Sequence, residues 1–251
     1  MVYLFDTTFC NDTREEACDR IENHISNKSG FVYIAVKDVA LTIRSIENPF
    51  LKDFYHSVPT CTFVDGRGIL YASRLLGQPL KEMVGGPGIY YDMLRRGEQK
   101  GYRFYFLGAD EEVLRAAIHN VLSRHPRVDI CGHHSGYFSS SEEKTIVSEI
   151  GKSGCDILLL GMSTPKREEF VSRHLGRFGS LVCIAVGGVF DNEAGKTVYA
   201  PSWVGILGLE WLFRVAQEPK RLAPRYLRTH SKFIFYLISE MVRKLRTFPT
   251  S

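Results

Sequence analysis

The sequence predicts an α/β fold, a mostly parallel sheet with helices on both faces, followed by a basic helical C-terminal appendage. Three observations carry the prediction. Short, uninterrupted apolar runs alternate with helix-length amphipathic stretches, the pattern of strands buried on both sides. The turns that follow those runs are rich in glycine and aspartate. Basic residues concentrate near the end: Arg214 to Arg246 holds nine Lys or Arg against Glu218 and Glu240, a local +7 within a net charge of +4, so the remainder is mildly acidic.

The candidate strands are Val2–Phe5, Phe31–Val36, Cys61–Val64, Arg103–Leu107, Val128–Cys131, Ile157–Leu160 and Leu181–Val186. Between them the apolar spacing predicts helices over Thr13–Ser26, Val39–Ile46, Ile69–Leu76, Ile89–Lys100, Glu111–His125, Glu142–Lys152 and Lys166–Gly176. Residues 1–200 are expected to form the core and 201–251 the appendage. From Lys232 onward, Phe233, Tyr236, Leu237, Met241 and Leu245 fall on one side of a helix with basic residues at its ends. That suits a helix lying on an anionic membrane surface, or one packed on its own domain or a sister subunit. Pro219 and Pro224 are expected to break the chain ahead of it and form a hinge.

Several classes of protein are disfavoured. The N-terminus MVYLFDTTFCNDTREE turns polar too early for a signal peptide, and no apolar stretch approaches the roughly 20 residues that span a bilayer. Six scattered cysteines without a CxxC pair fit a reducing, cytoplasmic setting. Cys131, His133 and His134 lack a fourth ligand at useful spacing, so no metal is expected. There is no GxGxxG, no GxxxxGK[ST] and no DxD acid pair. The body lacks the aromatic-interleaved basic pattern of a nucleic-acid binder.

In a parallel sheet, ligands sit at the carboxyl ends of the strands. Five turns there carry the candidates: Asp65-Gly66-Arg67-Gly68, Gly108-Ala109-Asp110, Gly136-Tyr137-Phe138, Gly161 to Lys166, and Gly187-Gly188-Val189-Phe190-Asp191. Glycines admit backbone amides to a phosphate, and helix N-termini add positive charge. Each turn alone is what strand-to-helix connections ordinarily contain; the five together point to a binding crevice. Asp65 suits a general base or a helix cap, and on its turn alone the two roles stand level.

Together these turns resemble the WecG/TagA/CpsF family of bacterial glycosyltransferases, from about residue 60 to about residue 226. The most specific stretch runs GGVFDNEAG, then Ala200-Pro201-Ser202-Trp203, then Gly208 to Arg214, then Glu218-Pro219-Lys220-Arg221. The DGRG, LGAD, HPRVDICGHHSGYF and TPKREEF segments fit the same pattern.

The resemblance implies a Rossmann-like core and an inverting transfer with neither metal nor other cofactor. Its donor would be a UDP-sugar and its acceptor a polyprenyl-diphosphate-linked sugar. The basic appendage would complete the site at the inner face of the cell membrane. It favours Asp65 as the catalytic base. Gly108, Asp110, Gly136, Tyr137, Gly187, Gly188 and Asp191 would hold the donor nucleotide, with Tyr137 stacking on uracil or sugar. Lys166, Arg167, Arg214, Arg221 and Arg225 would meet substrate or diphosphate charge.

The sequence also departs from the family pattern. Arg167 stands where glutamine is usual, Lys37-Asp38 replaces a Thr-x-Asn turn, Gly86-Pro87-Gly88-Ile89 replaces GxDL, and Tyr199 replaces an arginine. These positions surround the expected sugar pocket and point to a hexose other than the usual N-acetylmannosamine. A non-catalytic nucleotide-binding homologue with a decayed sugar site is the alternative reading. The apolar tail leaves room for a homo-oligomer.

Overall fold

The computed structural model describes residues 1–206 and 208–247, with side chains for all of these except Ser202, Ile206, Arg221, Arg225, Leu245, Arg246 and Thr247. The chain opens with an antiparallel hairpin, β1 (Val2–Leu4) and β2 (Thr7–Phe9), in register Leu4↔Thr7. Phe5 and Asp6 at its tip both have positive φ. The first predicted strand is therefore not a member of the main sheet: this tight turn folds it back onto the next three residues.

The order continues α1 (Arg14–Ser26), β3 (Val32–Lys37), α2 (Val39–Glu47), α3 (Pro49–Ser57), β4 (Thr60–Val64), α4 (Arg67–Leu75), α5 (Gly86–Lys100), β5 (Arg103–Gly108), α6 (Glu111–Arg124), β6 (Asp129–His134), α7 (Glu143–Ser153), β7 (Ile157–Gly161), α8 (Lys166–His174), β8 (Val182–Ala185) and α9 (Val189–Glu193). The helices α10 (Ser202–Ile206), α11 (Glu210–Gln217) and α12 (Pro219–Thr247) complete the described chain.

Six strands form one sheet in the order β4-β3-β8-β7-β5-β6, and every neighbouring pair is parallel. Alternate side chains of each central strand enter two separate cores, as a doubly covered sheet requires. Ile34, Phe106, Leu159 and Ile184 pack on one face with residues of α1, α5, α6 and α9. Tyr33, Leu107, Leu158 and Cys183 pack on the other with residues of α3, α7 and α8. Because the strands are parallel, all six carboxyl ends share one edge of the sheet. The turns at 65, 108, 136, 161 and 187 are thereby gathered along one rim.

The expected proline hinge is absent from the described helix. Pro219 is the first residue of α12, where its missing N–H would have no partner, and Pro224 lies inside the continuous helix. The tail also docks differently from a simple membrane-facing stripe. Phe233 is buried in a third core with Val2, Phe9, Val39, Ile43 and Leu70, and Tyr236 and Leu237 pack against it. Its ring lies 5.1 Å from that of Phe5. Met241 of the predicted stripe is exposed, and the side chain of Leu245 lies outside the described residues. The helix is apolar on a further side as well, where Leu227, Ile234, Phe235, Ile238 and Val242 are exposed.

Phe233→Ala should cost α12 its anchor, at about 3 kcal/mol for a large buried side chain. Limited proteolysis should then cut within residues 219–247 much faster than in the wild type, while the sheet core stays protected.

Candidate active site

Two close backbone approaches build the rim. Gly108, at the end of β5, pairs in register with Gly161 at the end of β7. Its φ is +150°, and a Cβ there would lie 2.5 Å from the Gly161 carbonyl carbon, a contact no side chain could tolerate. A Cβ on Gly161 would in turn lie 2.4 Å from the Phe190 ring. These glycines let the 108–110 turn, the 161–166 turn and α9 close on one another. Gly136 joins them: its N–H donates to the Ala109 carbonyl at 2.8 Å, and its own carbonyl accepts from Lys166 Nζ at 2.9 Å.

Asp110 caps α6, accepting from the Val113 N–H at 2.9 Å through Oδ1. That bond is the main reason its carboxyl sits below the usual range. Its second oxygen faces Lys196 Nζ at 3.6 Å, and the same ammonium lies 3.7 Å from Asp191. Lys196 therefore bridges two turns expected to hold the nucleotide. The sequence reading missed it, although its place five residues beyond Asp191 in the DNEAGK stretch was the available signal. Tyr137 is well exposed beside the Lys166 ammonium, which is 5.8 Å from its ring centre.

Asp65 follows β4, which runs beside β3 in the register Lys37↔Val64. It does not cap the next helix: Gly66, at φ +78°, is the N-cap of α4 and the cap makes no side-chain hydrogen bond. The carboxyl is partly enclosed, and burial is the largest influence on it, followed by the neighbouring Asp38 charge. Arg214 opposes both, and the carboxyl is pushed up to about 7. Arg214, from α11, also reaches the glycine turn, where a Cβ built on Gly188 would lie 3.9 Å from its Nη2 and 3.8 Å from Asp191 Oδ2. Asp65, Gly188, Asp191 and Arg214 thus converge, with Gly187 preceding them at φ +57°.

Arg167 is placed differently. It is buried, and its Nε donates to Glu168 Oε1 at 2.7 Å. The same oxygen accepts from Tyr33, Tyr55 and Thr164 at 3.1–3.2 Å, while Glu168 Oε2 is buried with no hydrogen bond. Lys37 lies beside this cluster, buried, with Nζ 3.5 Å from the Tyr55 ring centre and 3.3 Å from Thr7 Oγ1. Burial lowers its ammonium to about 7. The side chains of Arg221 and Arg225 lie outside the described residues.

Among the described residues no cluster of three or more His, Cys, Asp or Glu is arranged to hold a metal ion. Cys131 instead donates to the Phe104 carbonyl, and His134 pairs with the Ser135 carbonyl. All six cysteines are free, and no described helix is long and apolar enough to cross a membrane.

The sequence model of the Glycosyl transferase WecG/TagA/CpsF family matches residues 2–247. The chain belongs to this family. It is 25% identical to an N-acetylglucosaminyldiphosphoundecaprenol N-acetyl-beta-D-mannosaminyltransferase of Bacillus subtilis (strain 168), over 98% of this chain and 94% of the relative. Proteins of the same name from Staphylococcus aureus (strain MW2) and Bacillus spizizenii are 33% and 28% identical, over 72% and 78% of this chain and 70% and 74% of their own lengths. The match extends well beyond the 60–226 stretch in which the resemblance is legible by eye, and takes in the N-terminal hairpin and α12. As a family member the chain is a glycosyltransferase.

Two buried charges make stability depend on pH. Asp65 holds its proton to about pH 7 when folded, whereas a free aspartate releases it near pH 4. Its burial therefore destabilises the folded state increasingly as pH rises from 4 to 7. Asp65→Asn should raise the melting temperature at pH 8, by on the order of 2 kcal/mol of stability, and leave it unchanged at pH 4. Lys37 has the opposite window: its lowered affinity penalises the folded state fully below pH 7, and the penalty fades as pH rises toward 10. Lys37→Met should therefore stabilise most at pH 6, by about 1–3 kcal/mol, in a denaturant titration that shows little gain at pH 10.

Proposed function

We propose that this glycosyltransferase moves a hexose-type sugar from a UDP-sugar to a polyprenyl-diphosphate-linked sugar, with inversion and without a metal. The observation that carries the reading is the convergence of Asp65, Arg214, Gly188 and Asp191 at the carboxyl end of the sheet. A base that ionises near neutrality stands there beside a guanidinium and a glycine turn.

In this reading the acceptor hydroxyl attacks the anomeric carbon from the face opposite the leaving group. Its proton passes to Asp65 as the new C–O bond forms, and the bond to the diphosphate breaks with its electron pair leaving on UDP. Arg214, Lys166 and the N–H groups of Gly187 and Gly188 would meet the growing charge, joined by Arg221 and Arg225. Gly108, Asp110, Gly136 and Asp191 would frame the nucleotide, with Lys196 between the two aspartates and Tyr137 as a stacking surface. Arg167 serves in the buried Glu168 cluster and is left out of the diphosphate set.

The relatives' names supply the first donor and acceptor to test, N-acetylmannosamine and N-acetylglucosaminyl-diphosphoundecaprenol. The departures at 37–38, 167 and 199 favour a different hexose on the donor. A lipid acceptor requires the enzyme to work at a membrane surface, and in this reading it is cytoplasmic and associates peripherally with the inner face of the cell membrane. The segment 201–251 would be the contact. Trp203, Trp211, Leu212, Ile234, Phe235 and Ile238 are exposed there, and Lys220 and Arg228 supply positive charge.

The test is a panel of UDP-sugars with a lipid-diphosphate-sugar acceptor, with and without chelator. Turnover with one donor, unaffected by chelator, is expected, with kcat/KM falling below about pH 7 as Asp65 gains its proton. Asp65→Asn should lower kcat by at least about 100-fold while UDP binding persists. Absence of turnover with every donor, or an Asp65→Asn variant of full activity, contradicts the reading.

A further inference from the structure

The β3–β4 ladder places two aspartates side by side. Its last register pair is Lys37↔Val64, so the residues that leave the two strands next are Asp38 and Asp65. The Asp65 N–H still donates to the Lys37 carbonyl at 2.9 Å, which extends the ladder by one bond and fixes the two turns relative to each other. Each turn then starts a helix, α2 after Asp38 and α4 after Gly66. These helix starts are crowded: a Cβ on Gly68 would lie 2.7 Å from Val39 Cγ2. Asp38 is held firmly, since its Oδ1 accepts from the Leu41 N–H at 2.6 Å as the N-cap of α2. That bond fixes the place of the side chain, so Asp38 puts a carboxylate at a set position next to Asp65.

We propose that Asp38 is a positioning residue for Asp65: its charge, held in register at the end of the neighbouring strand, keeps Asp65 ready to accept a proton. The proposal rests on the reading of Asp65 as the base. The other groups that face Asp65 come from two segments: Glu210 and Arg214 on α11, and Tyr199 in the stretch before α10. Glu210 acts in the same sense as Asp38, and Arg214 acts against both. Asp38 is the member of this set that the sheet itself fixes. Arg214 and Glu210 arrive on a helix beyond the last strand. The placement gives Asp38 a task that an N-cap alone does not require, because asparagine and serine cap equally well without the charge.

Asp38→Asn keeps the cap and removes the charge. Two readouts are taken on the full chain. The first is the pH profile of kcat/KM, whose acid limb should move down by about one pH unit. At pH 6 the variant should then keep about half of its plateau rate, where the wild type keeps about a tenth. The second needs no substrate: the Asp65 carboxyl carbon is followed by NMR in aspartate-labelled protein and assigned by its loss in Asp65→Asn. Its titration midpoint should fall by the same amount. An Asp65 midpoint that stays within about 0.3 pH units of wild type overturns the proposal. If the wild type shows no turnover at all, the NMR titration still decides the role of Asp38, and only the catalytic reading falls. Asp38→Ser, which also caps, repeats the measurement if the asparagine variant does not fold.

Discussion

The contact between Gly108 and Gly161 is the constraint on which the rim depends. The two glycines face each other across β5 and β7 with no room for a Cβ, and Phe190 closes over Gly161 from α9. Had either position carried a side chain, the strand ends would splay and the 187–191 turn would lift away from 108–110. The Lys196 bridge between Asp110 and Asp191, and the reach of Arg214 to Gly188, both presuppose that closure. The arrangement of side chains along this edge is thus a consequence of backbone packing several residues away.

Two charges near this edge are held at the expense of stability. Asp65 is partly enclosed beside Asp38 and Glu210 with one guanidinium in opposition, an arrangement that disfavours its charged form. Lys37, in register with the residue before Asp65, is buried against the Tyr55 ring. Neither would be chosen to hold a fold together. The remaining framework compensates with two apolar cores, one on each face of the sheet, and a third formed by the N-terminal hairpin, α2, α4 and α12. That third core links the appendage to the turn that carries Asp38, because α2, which Asp38 caps, belongs to it.

Much of this was legible in the sequence. Six of the seven strands predicted became members of the sheet, since a parallel strand buried on both faces shows as an unbroken apolar run. Val2–Phe5 misled because a short hairpin strand has the same composition; what decided its fate was the positive φ of Phe5 and Asp6, which no pattern displays. The helix α3 escaped notice because its apolar residues, Phe50, Leu51 and Phe54, sit close behind Pro49 in a stretch too short to show a period. Asp65, Asp110 and Asp191 stand out as candidates because they follow strands, and Asp38 only as a departure from the family pattern; Lys196 does not stand out, because its place between Asp110 and Asp191 arises from a loop that folds back. Arg167 shows the converse. It stood in a turn rich in candidates, but the α8 start directs it inward to Glu168, and direction is set by tertiary packing.

The most direct test of the account is where a nucleotide binds. Amide shifts on adding UDP to the labelled chain, with chelator present, should concentrate at residues 65–67, 108–110, 136–137 and 187–191, at the carboxyl ends of the strands. Shifts confined to the opposite end, in the groove lined by Lys28, Gly154, Asp156 and Arg177, or no shifts at saturating UDP, would contradict it.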